Sequence, residues 1–456
     1  MEIWRESQKD LPVIERKDVV VCGGGPAGFG AALSAARNNC KVTIIEKYGF
    51  LGGMATASMV NLMAIRNLTP YNDETFPLIG GIPLEFLKRL NDLGGTVLPD
   101  EALRLKNIDP VVPSWSNYLL FDVELTKIVM AQMLKEANVT IRNHSFITGV
   151  VKENKTIKGV IIESKSGREV IMAERIIDAT GDGDVAFFAG ANFDQRLDED
   201  TLPATMIFSI GGADDEKIWA YLAKDPELKE LVSKAPRYIS QPDFRFKDIP
   251  FPLKIFKAKP PKGDIKKYNQ MVRPGQWWIW GLHMFNKNVV DAVDLSFCEM
   301  TLRERVYETF LFLKKELPGM DKAYLDQTPV QVGIRESRRF HGEYTLTLDD
   351  LLGGKEFEDG IARGRVKDET APFHIPYRSL IPKDIEGLLL AGRCISLTHE
   401  AATQVAPRNQ PTCMAIGQAA GVAAALSIHD NKLLRRIDVD KLKSTLISQG
   451  VYITGE

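Results

Sequence analysis

Residues 17–46 contain the pattern that most constrains this chain: a short apolar run, a glycine-rich turn, a stretch of small residues and a second apolar run. They read DVVVC, GGGPAG, FGAALSAARNN and KVTIIE. β-Branched runs predict strands, and apolar residues at helical spacing predict a helix, so the segment is typical of a βαβ unit. Because the two strands of such a unit lie parallel, we expect an α/β fold.

The glycine turn fits the pattern GxGxxG at Gly23, Gly25 and Gly28, with Pro26 and Ala27 inside it. Gly23 permits a tight turn, Gly25 lets backbone N–H groups approach a pyrophosphate, and Gly28 allows the helix to pack closely on the strand. The pyrophosphate is then expected at the positive end of the helix. GxGxxG alone is weak evidence, but its place between a strand and a helix makes a glycine turn without a ligand the less favoured alternative.

Glu46 ends the second apolar run, about 20 residues after the glycines, where a ribose hydroxyl acceptor is expected. A carboxylate accepts hydrogen bonds from a ribose 2′-hydroxyl and repels a 2′-phosphate. The site therefore favours FAD or NAD over NADP, and the βαβ unit alone does not choose between the first two.

Four later segments favour FAD: FLGGMATASMVN, RIIDATGDGDVAFFAGA, GLLLAGRCIS and PTCMAIGQAAGVAAAL. In this order they resemble the glutathione-reductase-like flavoproteins and, more narrowly, the family of FAD-dependent oxidoreductases. The resemblance covers residues 17–191 and 329–428 and is weak between them. It implies a Rossmann-type domain that binds FAD without a covalent bond, and it disfavours an NAD-dependent dehydrogenase.

The resemblance also implies which residues bind the cofactor. A side chain at either glycine of the pair in FLGGMA is expected to collide with FAD. Arg393 stands where many relatives carry an acid and could pair with the pyrophosphate. The helix that begins at PTCM is expected to face the flavin. Arg408 is the candidate for an arginine that relatives carry before PTCM, in a segment that is about two residues longer here. The full expected set is Gly23, Gly25, Pro26, Ala27, Gly28, Glu46, Lys47, Gly52, Gly53, Met54, Ala55, Thr180, Gly181, Asp182, Gly392, Arg393, Pro411, Thr412, Cys413 and Met414.

The amino-acid composition of the chain changes between residues 192 and 328, where proline, lysine and aromatic residues are more frequent. Before this stretch, residues 139–180 alternate apolar runs with turns and predict strands that include an antiparallel meander. After it, IEGLLLAG predicts a buried strand. We therefore expect a discontinuous Rossmann-type FAD-binding domain (residues 1–191 and 329–456) with an inserted α+β substrate or cap domain (192–328).

The candidate catalytic residues come from three segments that flank the last flavin strand. RESRRFHGEY supplies Arg338 and His341, PFHIPYR supplies His374, and His399 follows the strand. Histidine and arginine suit proton transfer and anion binding. The alternative, equally weighted for the RESRRFHGEY segment, is an ion-paired brace between domains.

The segment RPGQWWIWG carries Trp277, Trp278 and Trp280, which are expected in the core of the inserted domain or as a stacking wall for a substrate. Cys394 and Cys413 have small, apolar neighbours, so we interpret them as packing residues and not as a redox pair or a flavin link.

Composition excludes several classes of protein. The formal net charge is −2, which does not indicate a nucleic-acid partner. The five cysteines are odd in number and form no CxxC pair, which argues against a disulfide scaffold and a metal site. The first residues lack a signal-peptide pattern and we expect no membrane-spanning segment, so we expect a cytoplasmic protein.

Together these features predict an oxidoreductase that transfers a hydride between a small organic substrate and FAD. The alternative is a flavoprotein whose FAD is structural or passes electrons to a protein partner. An exposed apolar patch beside the flavin would favour the alternative, whereas a closed pocket lined by His341, His374 and His399 would favour the enzyme. The substrate, the direction, the electron acceptor and the formation of a homo-oligomer stay open.

Overall fold

The computed structural model describes residues 2–4, 7, 9–64, 71–72, 78–96, 98, 118–222, 243–244, 253–256, 275–367 and 369–453. The helices in these residues are α1 (Pro26–Arg37), α2 (Ile82–Asp92), α3 (Val123–Glu136), α4 (Asp184–Ala189), α5 (Asp215–Leu222), α6 (Ala292–Glu316), α7 (Leu348–Leu352), α8 (His399–Thr403), α9 (Gln410–His429) and α10 (Val439–Ser448). The strands are β1 (Val13–Cys22), β2 (Val42–Ile45), β3 (Leu62–Ala64), β4 (Tyr118–Leu120), β5 (Thr140–Arg142), β6 (Phe146–Glu153), β7 (Thr156–Ser164), β8 (Gly167–Asp178), β9 (Phe193–Asp194), β10 (Ala204–Gly211), β11 (Asp243–Phe244), β12 (Leu253–Phe256), β13 (Trp277–Met284), β14 (Tyr324–Gln327), β15 (Arg339–Phe340), β16 (Gly360–Gly364), β17 (Phe373–Pro376) and β18 (Leu388–Leu390).

The first sheet has the order β5-β2-β1-β8-β7-β6, and β18 also pairs with β8. β1 lies parallel to β2 and β8, and β18 lies parallel to the end of β8. β6, β7 and β8 form the antiparallel meander that the sequence predicts. The carboxyl ends of the parallel strands β1, β2, β8 and β18 therefore meet at one edge of the sheet, which is where α/β folds bind ligands.

Helices α1 and α9 cross with their backbones almost in contact. A β-carbon at Gly417 would lie 1.9 Å from the carbonyl oxygen of Ala27, and one at Gly30 would lie 2.3 Å from that of Met414. The small residues of α9 allow this packing, which fixes the start of α9 beside the start of α1. The helix has 20 residues and is long and apolar enough to cross a membrane, but 89% of its most apolar window is buried in the protein, as in a core helix.

A second sheet has the order β11-β12-β13-β10-β14. One face packs against α6 around a separate hydrophobic core that includes Phe208, Trp277, Leu302 and Val306. This sheet and α6 come from the stretch that the sequence analysis interprets as an inserted domain. The limits at residues 192 and 328 stay a prediction, because the second core also contains Val332 and Ile334.

Candidate active site

Gly25 and Gly28 of the GxGxxG pattern are glycine for different physical reasons. A β-carbon at Gly28 would lie 1.8 Å from the carbonyl oxygen of Gly23, so Gly28 is required by the packing of α1 on β1. A β-carbon at Gly25 would meet only the Cα of Gly53, at 3.8 Å, and Gly25 has the ordinary backbone angles φ −70° and ψ −176°. The protein itself has room for a side chain at Gly25, so the absence of one keeps space for a ligand at the start of α1.

Glu46 follows β2 at the same edge of the sheet and is buried. Its carboxylate accepts hydrogen bonds from the backbone N–H of Gly24, at 2.7 Å, and of Tyr48, at 3.0 Å. Burial raises the pKa of Glu46, although these N–H groups partly offset the effect. The carboxylate is held beside the glycine turn, where a ribose hydroxyl acceptor is expected.

The segment after β2 forms a short 3₁₀ helix, Gly53–Ala55. A β-carbon at Gly52 would lie 2.4 Å from the Thr56 side chain, and one at Gly53 would lie 2.9 Å from the Cα of Gly25. The protein therefore already requires both glycines, whereas the sequence interpretation explained them by collision with the cofactor. Met54 joins this segment to the second core, since its sulfur accepts a hydrogen bond from the backbone N–H of Ile334 at 3.4 Å.

Asp182 and Arg393 form a partly buried ion pair after the ends of β8 and β18. Nη2 of Arg393 donates to the Asp182 carboxylate at 2.7 Å, and the Ser337 hydroxyl donates to the same oxygen at 2.6 Å. Burial opposes ionisation of Asp182, but the Arg393 charge and these hydrogen bonds lower its pKa below the usual value. The pair holds a guanidinium at the edge of the sheet beside Gly181, in the position that the sequence assigns to a pyrophosphate contact.

Helix α9 begins at Gln410, with Asn409 as its N-cap residue. Both side chains are at least nine-tenths buried. The amide oxygen and nitrogen of Asn409 and Oε1 of Gln410 have no hydrogen-bond partner among the described residues. Since buried polar groups in folded proteins are normally paired, these amides indicate that a ligand belongs at the start of α9.

One face of the second sheet completes the site. Thr205 in β10 lies directly opposite His283 in β13, so the two side chains share a face. Between Ile279 and Leu282, β13 has two residues where β10 has only Ile207, which is a β-bulge. Ile279 and Leu282 both pack in the second core, and the extra residue turns His283 towards the first sheet.

These elements enclose a cavity of about 430 Å³. The lining includes fourteen residues of the expected cofactor set, among them Gly25, Glu46 and Arg393. The remaining six, Gly28, Gly52, Ala55, Pro411, Thr412 and Met414, are not part of the described lining. Arg408, whose register was open, also lines the cavity. Lining residues that the expected set lacks are Tyr48, Val60, Leu62, Ala179, Thr205, Trp280, His283, Gln331, Gly333, Ile334, Arg335, Ala391, Val405, Arg408, Asn409 and Gln410.

Residues 18–446 match the sequence model of the family described as FAD dependent oxidoreductase. The chain belongs to this family of FAD-dependent oxidoreductases. Dihydrolipoyl dehydrogenase of Dictyostelium discoideum is 54% identical over 39 residues, which are 9% of this chain and 8% of that protein. Dihydrolipoamide dehydrogenase of Chaetomium thermophilum is 25% identical over 234 residues, which are 48% of this chain and 41% of that protein.

The matched segments thus span less than half the length of either curated relative. Among solved structures, a geranylgeranyl bacteriochlorophyll reductase-like protein from Thermoplasma acidophilum is similar, with 15% identity, a TM-score of 0.48, and coverage of 96% of this chain and 84% of that chain. Family membership confirms FAD as the cofactor and FAD-dependent oxidoreductase as the class of activity.

The cavity fits FAD in two respects. The space kept open at Gly25 suits a pyrophosphate at the positive end of α1. The paired donor and acceptor of the Asn409 amide suit the polar edge of a flavin ring, which carries both kinds of group. A sequence signal for Asn409 exists, because asparagine directly before a helix that carries proline in its first turn is a typical N-cap.

The four catalytic candidates lie outside the described lining of this cavity. Arg338 donates to the Asp184 carboxylate at 2.9 Å and covers the ring of Phe187 at 4.1 Å. His341 is half-exposed and lies 3.1 Å from the carboxylate of Asp194. The ion pair of Arg338 joins two segments of the predicted FAD-binding domain, and that of His341 reaches residue 194 of the predicted inserted domain. The catalytic role and the brace both stay predictions for this segment.

Of the other two candidates, His374 is buried and His399 is partly buried. His374 lies in β17, where its Nδ1 faces the backbone of Phe357, and burial lowers the pKa of its ring. Nδ1 of His399 lies 2.6 Å from the carboxylate of Glu336, which also binds Arg339. The sequence analysis expected an enzyme to have a closed pocket lined by His341, His374 and His399. These side chains do not line the described cavity, and the histidine that does is His283.

The cysteines and tryptophans have distinct positions. Cys394 is buried, and burial raises the pKa of its thiol well above the usual value. Cys413 lines the cavity, and burial raises the pKa of its thiol to about 12. Both are neutral thiols at pH 7, which makes them poor nucleophiles. Trp277 lies in the second core, Trp278 packs against the first, and Trp280 lines the cavity.

Proposed function

We propose that the protein transfers a hydride between a small organic molecule and FAD inside the cavity shared by the two sheets. The lining carries this proposal, because Gly25 and Glu46 at the edge of the first sheet and Thr205 and His283 of the second sheet face one cavity. Concave sites with a few converging polar groups are typical of small-molecule binding. Bound FAD supplies a ring that accepts or gives a hydride.

The first sheet binds and orients the cofactor in this proposal. Backbone N–H groups at the start of α1 hold the pyrophosphate, and Glu46 accepts from a ribose hydroxyl. Arg393, fixed by Asp182, neutralises phosphate charge. Asn409 holds the polar edge of the ring. No cysteine is assigned a bond to the flavin, so the cofactor is released intact when the protein is denatured.

We assign proton transfer to His283. The chain has six histidines, all of them in the described part, and His283 is the one that lines the cavity. The bulge in β13 gives this side chain its direction, and bulges commonly re-aim residues beside active sites. Histidine is the residue type with an ordinary pKa near neutrality, as a general acid or base requires.

The proposal is tested by acid precipitation and anaerobic reduction. Chromatography of the supernatant should show FAD, and a panel of hydroxy acids, amines and sugars should contain a compound that bleaches the flavin. His283→Gln should slow bleaching ~100-fold or more at unchanged FAD content. His429→Gln, at the exposed end of α9, is the matched control. Flavin that no small molecule reduces, or a normal rate in His283→Gln, would contradict the proposal.

A further inference from the structure

The charges that line the cavity are unevenly distributed. The two carboxylates, Glu46 and Asp182, both lie at the edge of the first sheet, and each already has the partners described above. Arg335 lies on the opposite side, beside the second sheet, and Arg408 lies two residues before the start of α9. The described lining residues at this end contribute arginines and a histidine and no carboxylate, so the charged groups that line this end are positive and favour an anion.

The backbone places Arg335 close to the assigned histidine. Thr205 pairs with His283 on one side and with Gly333 on the other, where the N–H of Thr205 donates to the carbonyl of Gly333 at 3.0 Å. Arg335 follows two residues later and donates to the carbonyl of Pro203 at 3.1 Å. Since neighbouring strands are about 4.8 Å apart, His283 and Gly333 lie about 10 Å apart with Thr205 between them.

The residues beside His283 and Arg335 are in contact with the start of α9. The amide nitrogen of Gln410 donates to the carbonyl of Val60. A β-carbon at Gly333 would lie 3.7 Å from the Val60 side chain and 3.0 Å from the hydroxyl of Thr205. Gln410, Val60, Gly333 and Thr205 are therefore contiguous. A molecule bound at Arg335 and reaching towards His283 would lie against the end of the cavity where the flavin ring is expected.

We infer that the substrate is a small organic carboxylate whose carboxylate group is bound by Arg335. The inference rests on the proposed function, whose substrate class it specifies. A guanidinium binds carboxylates through two parallel hydrogen bonds and so orients as well as attracts them. Arg408 also lines the cavity and adds positive charge, and the rest of the substrate would lie against Thr205 and His283.

Equilibrium binding tests the inference without turnover. The FAD-containing protein is titrated with propionate and succinate and with their neutral amides, propionamide and succinamide, by calorimetry and by the flavin difference spectrum. The carboxylates should bind at least about tenfold more tightly than the amides and should perturb the flavin absorbance. Arg335→Gln should weaken carboxylate binding by about 10–150-fold, since a hydrogen bond to a charged group contributes about 1.5–3 kcal/mol.

The control is Arg303→Gln in α6, which removes an arginine that also binds a proline carbonyl, that of Pro329, outside the cavity. It should leave carboxylate binding unchanged. Arg335→Lys, which keeps the charge and loses the planar fork, should bind with intermediate affinity and serves if Arg335→Gln does not fold. Equal binding of acids and amides, or unchanged binding by both Arg335 variants, would overturn the inference.

The two proposals fail in different ways. If a neutral alcohol or an amine reduces the flavin and carboxylates do not bind, the proposed function stands and the carboxylate site at Arg335 is overturned. Carboxylate binding that depends on Arg335, in a protein whose flavin no small molecule reduces, would keep the site and overturn the function.

Discussion

Replacing Gly25 with alanine should weaken FAD binding and leave the stability of the cofactor-free protein almost unchanged. The new β-carbon would meet only the Cα of Gly53, at 3.8 Å, and the backbone angles at Gly25 are open to any residue. A compatible Gly→Ala change stabilises by about 0.4–1 kcal/mol through the unfolded state. Alanine is a poorer N-cap than glycine by a similar amount. The free energy of unfolding should therefore change by less than about 1 kcal/mol.

The loss should appear in cofactor binding. The β-carbon of Gly25→Ala takes the space in which the backbone faces the pyrophosphate. Loss of one hydrogen bond to that charged group costs about 1.5–3 kcal/mol, or about 10–150-fold in the dissociation constant of FAD. Fluorescence titration with FAD measures the affinity, and urea denaturation of the FAD-free protein measures the stability.

Gly28→Ala is the matched variant, because its β-carbon would lie 1.8 Å from a backbone oxygen of Gly23. Overpacking of this kind costs about 1–3 kcal/mol or more, so the FAD-free Gly28→Ala protein should unfold at lower urea concentration. Wild-type affinity for FAD in Gly25→Ala, or a loss of stability equal to that of Gly28→Ala, would refute the assignment of the two glycines.

Three further variants test the placement of other side chains. Cys394→Ser should keep its FAD, since the buried thiol lies 3.5 Å from two carbonyl oxygens that a hydroxyl can also reach, and an FAD-free product would contradict this. Arg338→Ala should lower the free energy of unfolding by about 1–2 kcal/mol, because it breaks the contact with partly exposed Asp184. Flavin reduction should stay unchanged, and a normal melting temperature with slow reduction would instead support a catalytic role for Arg338. The pKa of His374 is lowered in the folded state, so the unfolded chain takes up a proton at a higher pH than the folded protein does. The free energy of unfolding of the wild type should therefore fall as the pH drops below the ordinary histidine pKa near 6.5, by at most about 1.4 kcal/mol per pH unit. His374→Gln should lack this loss in melting curves across that range, and identical pH profiles would contradict the account.

The cofactor end of the site was predictable because its signals are local. The turn between β1 and α1 and the acid after β2 lie within 30 residues, and their roles depend on backbone geometry that the sequence encodes directly. The reason for the pair Gly52 and Gly53 was not predictable, because it depends on contacts with Thr56 and with Gly25 that only the folded chain brings together.

The proposed substrate end was not predictable from the sequence, because its residues come from separate strands of the second sheet. Thr205 and His283 are 78 positions apart and meet only through the pairing of β10 and β13. The direction of His283 depends on a bulge, and a one-residue shift in a strand moves a side chain to the other face. The cluster in RESRRFHGEY was conspicuous in sequence, but Arg338 and His341 contact Asp184 and Asp194 outside the cavity.

The most direct test of the account is anaerobic flavin bleaching in Thr205→Phe and Thr205→Val, compared at equal FAD content. Thr205 is buried and faces the cavity beside His283, so phenylalanine would fill the space for the substrate, whereas valine keeps the shape of threonine. A small molecule that bleaches the wild type should also bleach Thr205→Val and should no longer bleach Thr205→Phe. Bleaching at the wild-type rate in Thr205→Phe would show that the substrate reaches the flavin by another face and would contradict the shared cavity.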